Sequence, residues 1–64
     1  MVMLRVNLVR ISNQTGGFKT ITIGRFEESC NTDTNEEGVL FIIDERGKIV
    51  GVFKEWTYCI RVKE

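Results

Sequence analysis

The stretch that decides the fold reads Val39-Leu40-Phe41-Ile42-Ile43-Asp44-Glu45-Arg46-Gly47-Lys48-Ile49-Val50-Gly51-Val52-Phe53. Two runs rich in β-branched and aromatic residues flank a polar turn, and Gly47 suits a left-handed position, so the stretch predicts a hairpin. The five apolar residues 39–43 cannot alternate between core and water, which predicts that this strand is covered on both faces. Gly51 lies within the return strand, where a bend or a close backbone approach is expected.

Three further segments have strand patterns. Residues 2–11 alternate and then slip in phase after Leu8, which indicates a β-bulge or a strand buried on both faces; helical spacing is the alternative, which the β-branched residues disfavour. The turn 13–17 leads into a strand over residues 18–26. In the last segment, Tyr58, Ile60 and Val62 are predicted to face inward, and the residues between them outward.

The polar stretch 27–38 contains no large apolar residue and predicts a long acidic loop. With 64 residues and no linker or repeat, the chain is expected to form one β domain over residues 1–64. The predicted fold is all-β, a small five-stranded antiparallel barrel or strongly bent sheet of SH3-like or OB-like size, with few or no helices.

Charge is divided into blocks although the formal net charge is zero. Residues 1–25 hold four bases and no acid, residues 26–45 hold seven acids and no base, and residues 46–64 hold five bases and two acids. Such blocks can neutralise one another on adjacent strands, pair across a subunit interface, or steer a charged partner.

The residue types favour a non-enzymatic protein without a cofactor. The chain has no histidine, which removes imidazole triads and most zinc sites. The spacing of Cys30 and Cys59 matches no metal or redox motif. The two residues are interpreted as reduced thiols, and a disulfide between them is the alternative. Asp33, Asn35 and Glu37 have the spacing of a calcium loop, but a strand pattern follows at once, so no metal site is predicted.

A second possibility is a small barrel that binds single-stranded nucleic acid. Aromatic and basic residues mix in the C-terminal third, as stacking and phosphate contacts require. The zero net charge and the expected burial of Phe53 and Tyr58 oppose it. Trp56 is interpreted either as a core anchor or as a binding hot spot.

The favoured hypothesis is a protein-binding module that forms an obligate or near-obligate homodimer. The chain offers little material to cover the second face of strand 39–43, so we expect self-association through Val39, Phe41 and Ile42. The candidate residues for another protein partner are Glu27, Glu28, Asp33, Glu36, Glu37 and Trp56. Three polar residues, Arg5, Asn7 and Arg10, interrupt the apolar start of the chain, so we expect no secretory signal. We therefore expect a cytoplasmic location.

Residues 38–53, followed by Trp56-Thr57-Tyr58, resemble the hairpin of tiny β-proteins encoded by phages and mobile elements of Gram-positive bacteria. Some of those proteins are similar to inhibitors of host defence proteins. The resemblance implies an inhibitor acting in the host-cell cytoplasm, and it assigns no role to an individual residue.

Overall fold

A computed structural model describes residues 1–12, 14 and 16–64, which form six strands in two antiparallel sheets. The strands are β1 (Val2–Ile11), β2 (Phe18–Glu27), β3 (Asn31–Thr34), β4 (Leu40–Ile43), β5 (Ile49–Phe53) and β6 (Tyr58–Lys63). The first sheet has the order β2-β1-β6 and the second the order β3-β4-β5. The all-β prediction is therefore confirmed, and no helix long and apolar enough to cross a membrane occurs in the described part of the chain.

The prediction of a five-stranded barrel is not confirmed. Over the described residues neither sheet closes on itself, and the two sheets pack face to face as a sandwich. The sixth strand, β3, lies inside the stretch that was predicted to be a loop. Its residues are polar and exposed because it is an edge strand, held by backbone pairing with β4 from Asn31↔Ile43 to Thr34↔Leu40.

Two hairpin turns of the second sheet have the same construction. In the β3–β4 turn, Asn35 Oδ1 accepts hydrogen bonds from the N–H groups of Glu37 and Val39, both at 3.0 Å. In the β4–β5 turn, Asp44 Oδ1 accepts from the two corresponding N–H groups, both at 2.9 Å. Gly38 and Gly47 end the turns at φ 79° and 81°, which confirms the predicted left-handed position of Gly47.

The core lies between the central strands of the two sheets. Leu4 and Val6 of β1 face Leu40 and Ile42 of β4, all at most 1% exposed, and Cys30 adjoins them. One face of β4 is thus covered by the first sheet. On its other face Phe41 and Ile43 are only half-buried, so the chain itself does not supply the second cover that the apolar run predicts.

The β1–β2 hairpin contains a β-bulge, but not at the place that the phase slip in residues 2–11 predicts. Val6 pairs with Gly24 and Asn7 pairs with Thr22, so Ile23 is the extra residue. The irregularity therefore follows Val6, not Leu8, and the extra residue belongs to β2. Asn13 and Thr15 of the predicted turn after β1 lie outside the described residues. Ser12 N donates to Gly17 O at 2.8 Å within this connection.

The predicted orientation of β6 is wrong. Register with β1 places Cys59 opposite Val6 and Arg61 opposite Leu4, so both share the inner face of the sheet. Tyr58 and Ile60 are exposed instead. The physical reason is that the guanidinium of Arg61 donates to backbone carbonyl groups of the β2–β3 connection, so this inward position is occupied by a polar group that has its partners.

Candidate interaction surfaces

The outer face of the second sheet is an apolar surface formed by Phe41, Ile43, Ile49 and Val52. Phe41 pairs with Val52 and Ile43 pairs with Ile49, and directly opposed residues lie on the same face of a sheet. Since Leu40 and Ile42 point into the core, their neighbours point outward. Ile49 and Val52 are 54% and 53% exposed, so this face is open to a partner.

The three residues predicted for self-association separate in the structure. Phe41 lies at the centre of the outer face, and Val39 is half-buried just before β4. Ile42 is fully buried and points toward the first sheet. Ile42 therefore belongs to the core of the single chain and is not available to a second copy, because an extended strand alternates its side chains even when every residue is apolar.

The predicted acidic contact residues are all exposed, but β3 divides them into two groups. Glu27 and Glu28 lie in and after the end of β2, where Glu27 shares a shallow hollow of about 230 Å³ with Asp44 and Glu45. Glu36 and Glu37 lie at the opposite end of the second sheet, in the β3–β4 turn. A partner therefore meets two separate acidic ends, not one continuous loop.

The calcium-like spacing is used for turn formation. Asn35 Oδ1 and Asp44 Oδ1 each accept two backbone N–H groups, and these residues flank opposite ends of β4. Among the described residues, no three metal-binding side chains come together. That the segment does not bind calcium stays a prediction.

Trp56 connects the two sheets at one end of the sandwich. Its ring is half-buried against the core, and its indole Nε1 donates to Gly38 O at 2.8 Å. Thr57, the next residue, holds the first sheet, because its N donates to Asn7 O at 2.8 Å and its Oγ1 accepts from Val9 N at 2.9 Å. These contacts favour the anchor interpretation of Trp56 over the hot-spot interpretation.

Three of the seven aromatic and basic residues in the C-terminal residues 48–64 make contacts within the fold. Phe53 packs against Phe26 inside the sandwich. Arg61 donates from Nη2 to Cys30 O at 2.8 Å and from Nε to Glu28 O at 3.3 Å. The ring of Trp56 also packs inward, so Tyr58 is the one aromatic residue of this group that is exposed, together with Lys48, Lys54 and Lys63. A single exposed ring is a poor platform for stacking successive bases.

The distal part of the β1–β2 hairpin is a second exposed surface, and the sequence did not reveal it. β6 pairs with β1 only as far as Asn7, so the hairpin continues beyond the sandwich as a two-stranded ribbon. At its end Ile11 pairs with Phe18, and they are 68% and 75% exposed. The available signal was length, since β1 and β2 have ten residues each and β6 has six.

The outer face of the first sheet carries a small ion-pair group. Arg5 Nε lies 3.2 Å from Glu64 Oε2, and Arg25 Nη1 lies 3.8 Å from Glu64 Oε1. The hydrogen bond from Arg5 lowers the pKa of the Glu64 carboxyl. Both cysteines are free thiols, and burial raises the pKa of Cys59, which makes it a poor nucleophile at neutral pH.

Comparison of this chain with protein-family models, with curated proteins and with solved structures finds no match.

Proposed function

We propose that this chain is a non-enzymatic protein-binding module that forms a homodimer. The observation that carries the proposal is the open outer face of the second sheet, with Phe41 at its centre. The accessible surface of the chain is 4936 Å², whereas a folded monomer of 7.4 kDa exposes about 4,200 Å². The projecting hairpin ribbon and the open outer face both contribute to this difference of about 700 Å².

The monomer has a core of its own, which bears on the strength of the dimer. Leu4, Val6, Leu40 and Ile42 are buried without help from a second chain. Each subunit can therefore fold before it associates, so we propose a reversible dimer and not an obligate one. Association at the outer face then adds a stabilisation that increases with the logarithm of protein concentration.

Another protein is the proposed target of the dimer. The exposed pair Ile11 and Phe18 at the end of the hairpin ribbon supports this, because a rigid aromatic residue on a projecting ribbon is suited to enter a pocket. The acidic ends of the second sheet would steer a basic target. The resemblance to tiny phage proteins suggests a bacterial defence protein as that target, inhibited by occupation of its surface without chemistry.

Two experiments test the proposal. Sedimentation equilibrium of the native chain at tens of micromolar should show a dimer, and Phe41→Glu, whose side chain faces outward, should give a folded monomer. Native chain that remains monomeric and folded at this concentration contradicts the dimer.

Photo-crosslinking in the source cell tests the target. With p-benzoylphenylalanine at position 18, irradiation should give an adduct with one defined polypeptide, and the same group at position 19, on the opposite side of the ribbon, should give less. Equal labelling of many proteins from both positions, or crosslinks to nucleic acid alone, contradicts a protein-binding role.

A further inference from the structure

We infer that two copies pack outer face to outer face of the second sheet about a two-fold axis parallel to β4, so that β3 of each copy lies over β5 of the other. This inference rests on the proposed homodimer and adds its geometry. The register defines two rows across the face, Asp33–Phe41–Val52 and Asn31–Ile43–Ile49. The face is therefore apolar over β4 and β5 and polar along β3.

Charge at the edges of this sheet is asymmetric. The β3 side carries Asp33 in the strand and Glu36 and Glu37 in the following turn, all exposed. The β5 side carries exposed Lys48 before the strand and exposed Lys54 after it. The β3 edge is thus acidic, whereas the β5 edge carries two lysines and the exposed Glu55 next to Lys54.

The strand register places the acidic β3–β4 turn and Lys54 at the same end of the second sheet. Leu40 pairs with Thr34 on one side and with Phe53 on the other, so the β3–β4 turn and Lys54 lie at the same end of the sheet. The opposite end, near Asn31 and Ile43, carries Lys48.

Symmetry then decides between two arrangements. A two-fold axis in the interface and parallel to β4 exchanges the two edges and keeps position along the strand, so Lys54 of one copy meets Glu36 and Glu37 of the other. An axis perpendicular to the strands places β3 over β3, which brings Asp33 against its own copy. Like charges in contact are repulsive, so the first axis is favoured.

The size of the face sets the expected affinity. Three strands about 4.8 Å apart and about five residues long give a face of roughly 15 Å by 17 Å. Such a face is at the low end of specific interfaces, where complexes are weak and reversible. We expect a dissociation constant in the micromolar range, which agrees with a monomer that has its own core.

Charge exchange tests the geometry. At low salt, Lys54→Glu and the pair Glu36→Lys with Glu37→Lys should each raise the dissociation constant of the dimer by about three- to tenfold, measured by sedimentation equilibrium. The triple variant should regain most of the native affinity, because the same contacts form with reversed sign. Glu28→Lys and Lys19→Glu, which change charge away from the face, should leave the dissociation constant within about twofold.

The possible results separate this inference from the proposed homodimer. If the dimer forms and Phe41→Glu abolishes it, but the triple variant is no tighter than the separate charge reversals, the axis is wrong and the dimer stands. If native chain is a folded monomer at tens of micromolar, the homodimer itself is wrong. Recovery in the triple variant, with both controls unchanged, supports the β3-over-β5 arrangement.

Discussion

The two long edges of the sandwich are closed by different physical means. At the β2–β5 edge, the ring of Phe26 lies over Gly51 and the ring of Phe53 lies over Gly24, with ring centroids 6.0 Å apart at an interplanar angle of 78°. At the β6 edge, Arg61 donates two hydrogen bonds to carbonyl groups of the β2–β3 connection. The first, the aromatic edge, depends on the shape of apolar groups, and the second, the arginine edge, depends on polar partners.

Because its packing depends on shape, the aromatic edge should tolerate added side-chain volume less well than the arginine edge. A Cβ atom at Gly24 would lie 2.6 Å from Phe53 Cζ, and one at Gly51 would lie 2.6 Å from Phe26 Cζ. Since real contacts are longer, a ring must move out of a packed position. Gly24→Ala or Gly51→Ala should lower the free energy of unfolding by about 2–3 kcal/mol, measured by denaturant titration.

A second variant shows whether the rings cause this loss. Phe53→Leu removes the atom nearest to Gly24, so the double variant Gly24→Ala, Phe53→Leu should be more stable than the sum of the single changes predicts. Thr20→Ala, on the exposed hairpin ribbon, should change stability by less than about 0.5 kcal/mol. Additive losses in the double variant would show that Phe53 is not what opposes a side chain at position 24.

The aromatic edge was partly predictable from the sequence. The order Gly-x-Phe occurs at Gly24-Arg25-Phe26 and at Gly51-Val52-Phe53, and each glycine contacts the phenylalanine of the other motif. The close approach expected at Gly51 is confirmed. The sequence does not show which phenylalanine packs on which glycine, because that depends on which strands of the two sheets lie over one another.

The two hairpin turns of the second sheet show why β3 was not predicted from the sequence. Asn35-Glu36-Glu37-Gly38 and Asp44-Glu45-Arg46-Gly47 share one pattern of side-chain acceptor and left-handed glycine. The second predicts a hairpin because apolar strands flank it, whereas the first follows a strand without apolar residues. An edge strand that covers no core can be polar throughout, so hydrophobic periodicity does not find it.

The arginine edge should respond to loss of its hydrogen bonds and less to volume. Arg61→Met keeps an aliphatic stem over the core but leaves the Cys30 carbonyl without its donor at 2.8 Å. We expect a loss of about 1.5 kcal/mol in the free energy of unfolding. Lys63→Met, at an exposed position of the same strand, should cost less than about 0.5 kcal/mol. Equal effects at both positions would mean that the guanidinium contacts contribute nothing.

This edge could not be read from alternation. The more apolar set of β6 contains Tyr58 and Ile60, yet register with β1 turns Cys59 and Arg61 inward. An arginine on the inner face that binds carbonyl groups of a distant connection is a tertiary arrangement, and the sequence of one strand alone gives no sign of it. Strand β4 is a similar case. The five-residue apolar run 39–43 predicts that both faces are covered, but the sequence does not show that the first sheet covers the face with Ile42 and leaves the face with Phe41 open.

Trp56 lies between these cases, because it combines an apolar ring with one polar contact. Trp56→Phe retains much of the packing and removes the hydrogen bond from Nε1 to Gly38 O. The expected loss in the free energy of unfolding is about 1 kcal/mol. Tyr58→Phe, at an exposed neighbouring position, is the control and should be close to neutral. If both variants match the native protein, the link between the β5–β6 connection and the β3–β4 turn is not a source of stability.

The smallest effect is expected at Glu64, on the outer face of the first sheet, away from both edges. Arg5 and Arg25 lower the pKa of its carboxyl from the ordinary value of 4.5, so the folded state favours the charged form. Its contribution to stability is therefore present above about pH 4.5 and is lost as the pH falls through the lowered pKa.

Glu64→Gln should be slightly less stable than the native protein at pH 7, and the stabilities of the two proteins should converge in acid. Unfolding is followed by urea titration at each pH. Added salt should reduce the difference at pH 7, because the pair is exposed and screened. Glu55→Gln, in the β5–β6 connection, is the matched control, and a difference that persists at pH 3 would contradict an origin in the carboxylate charge.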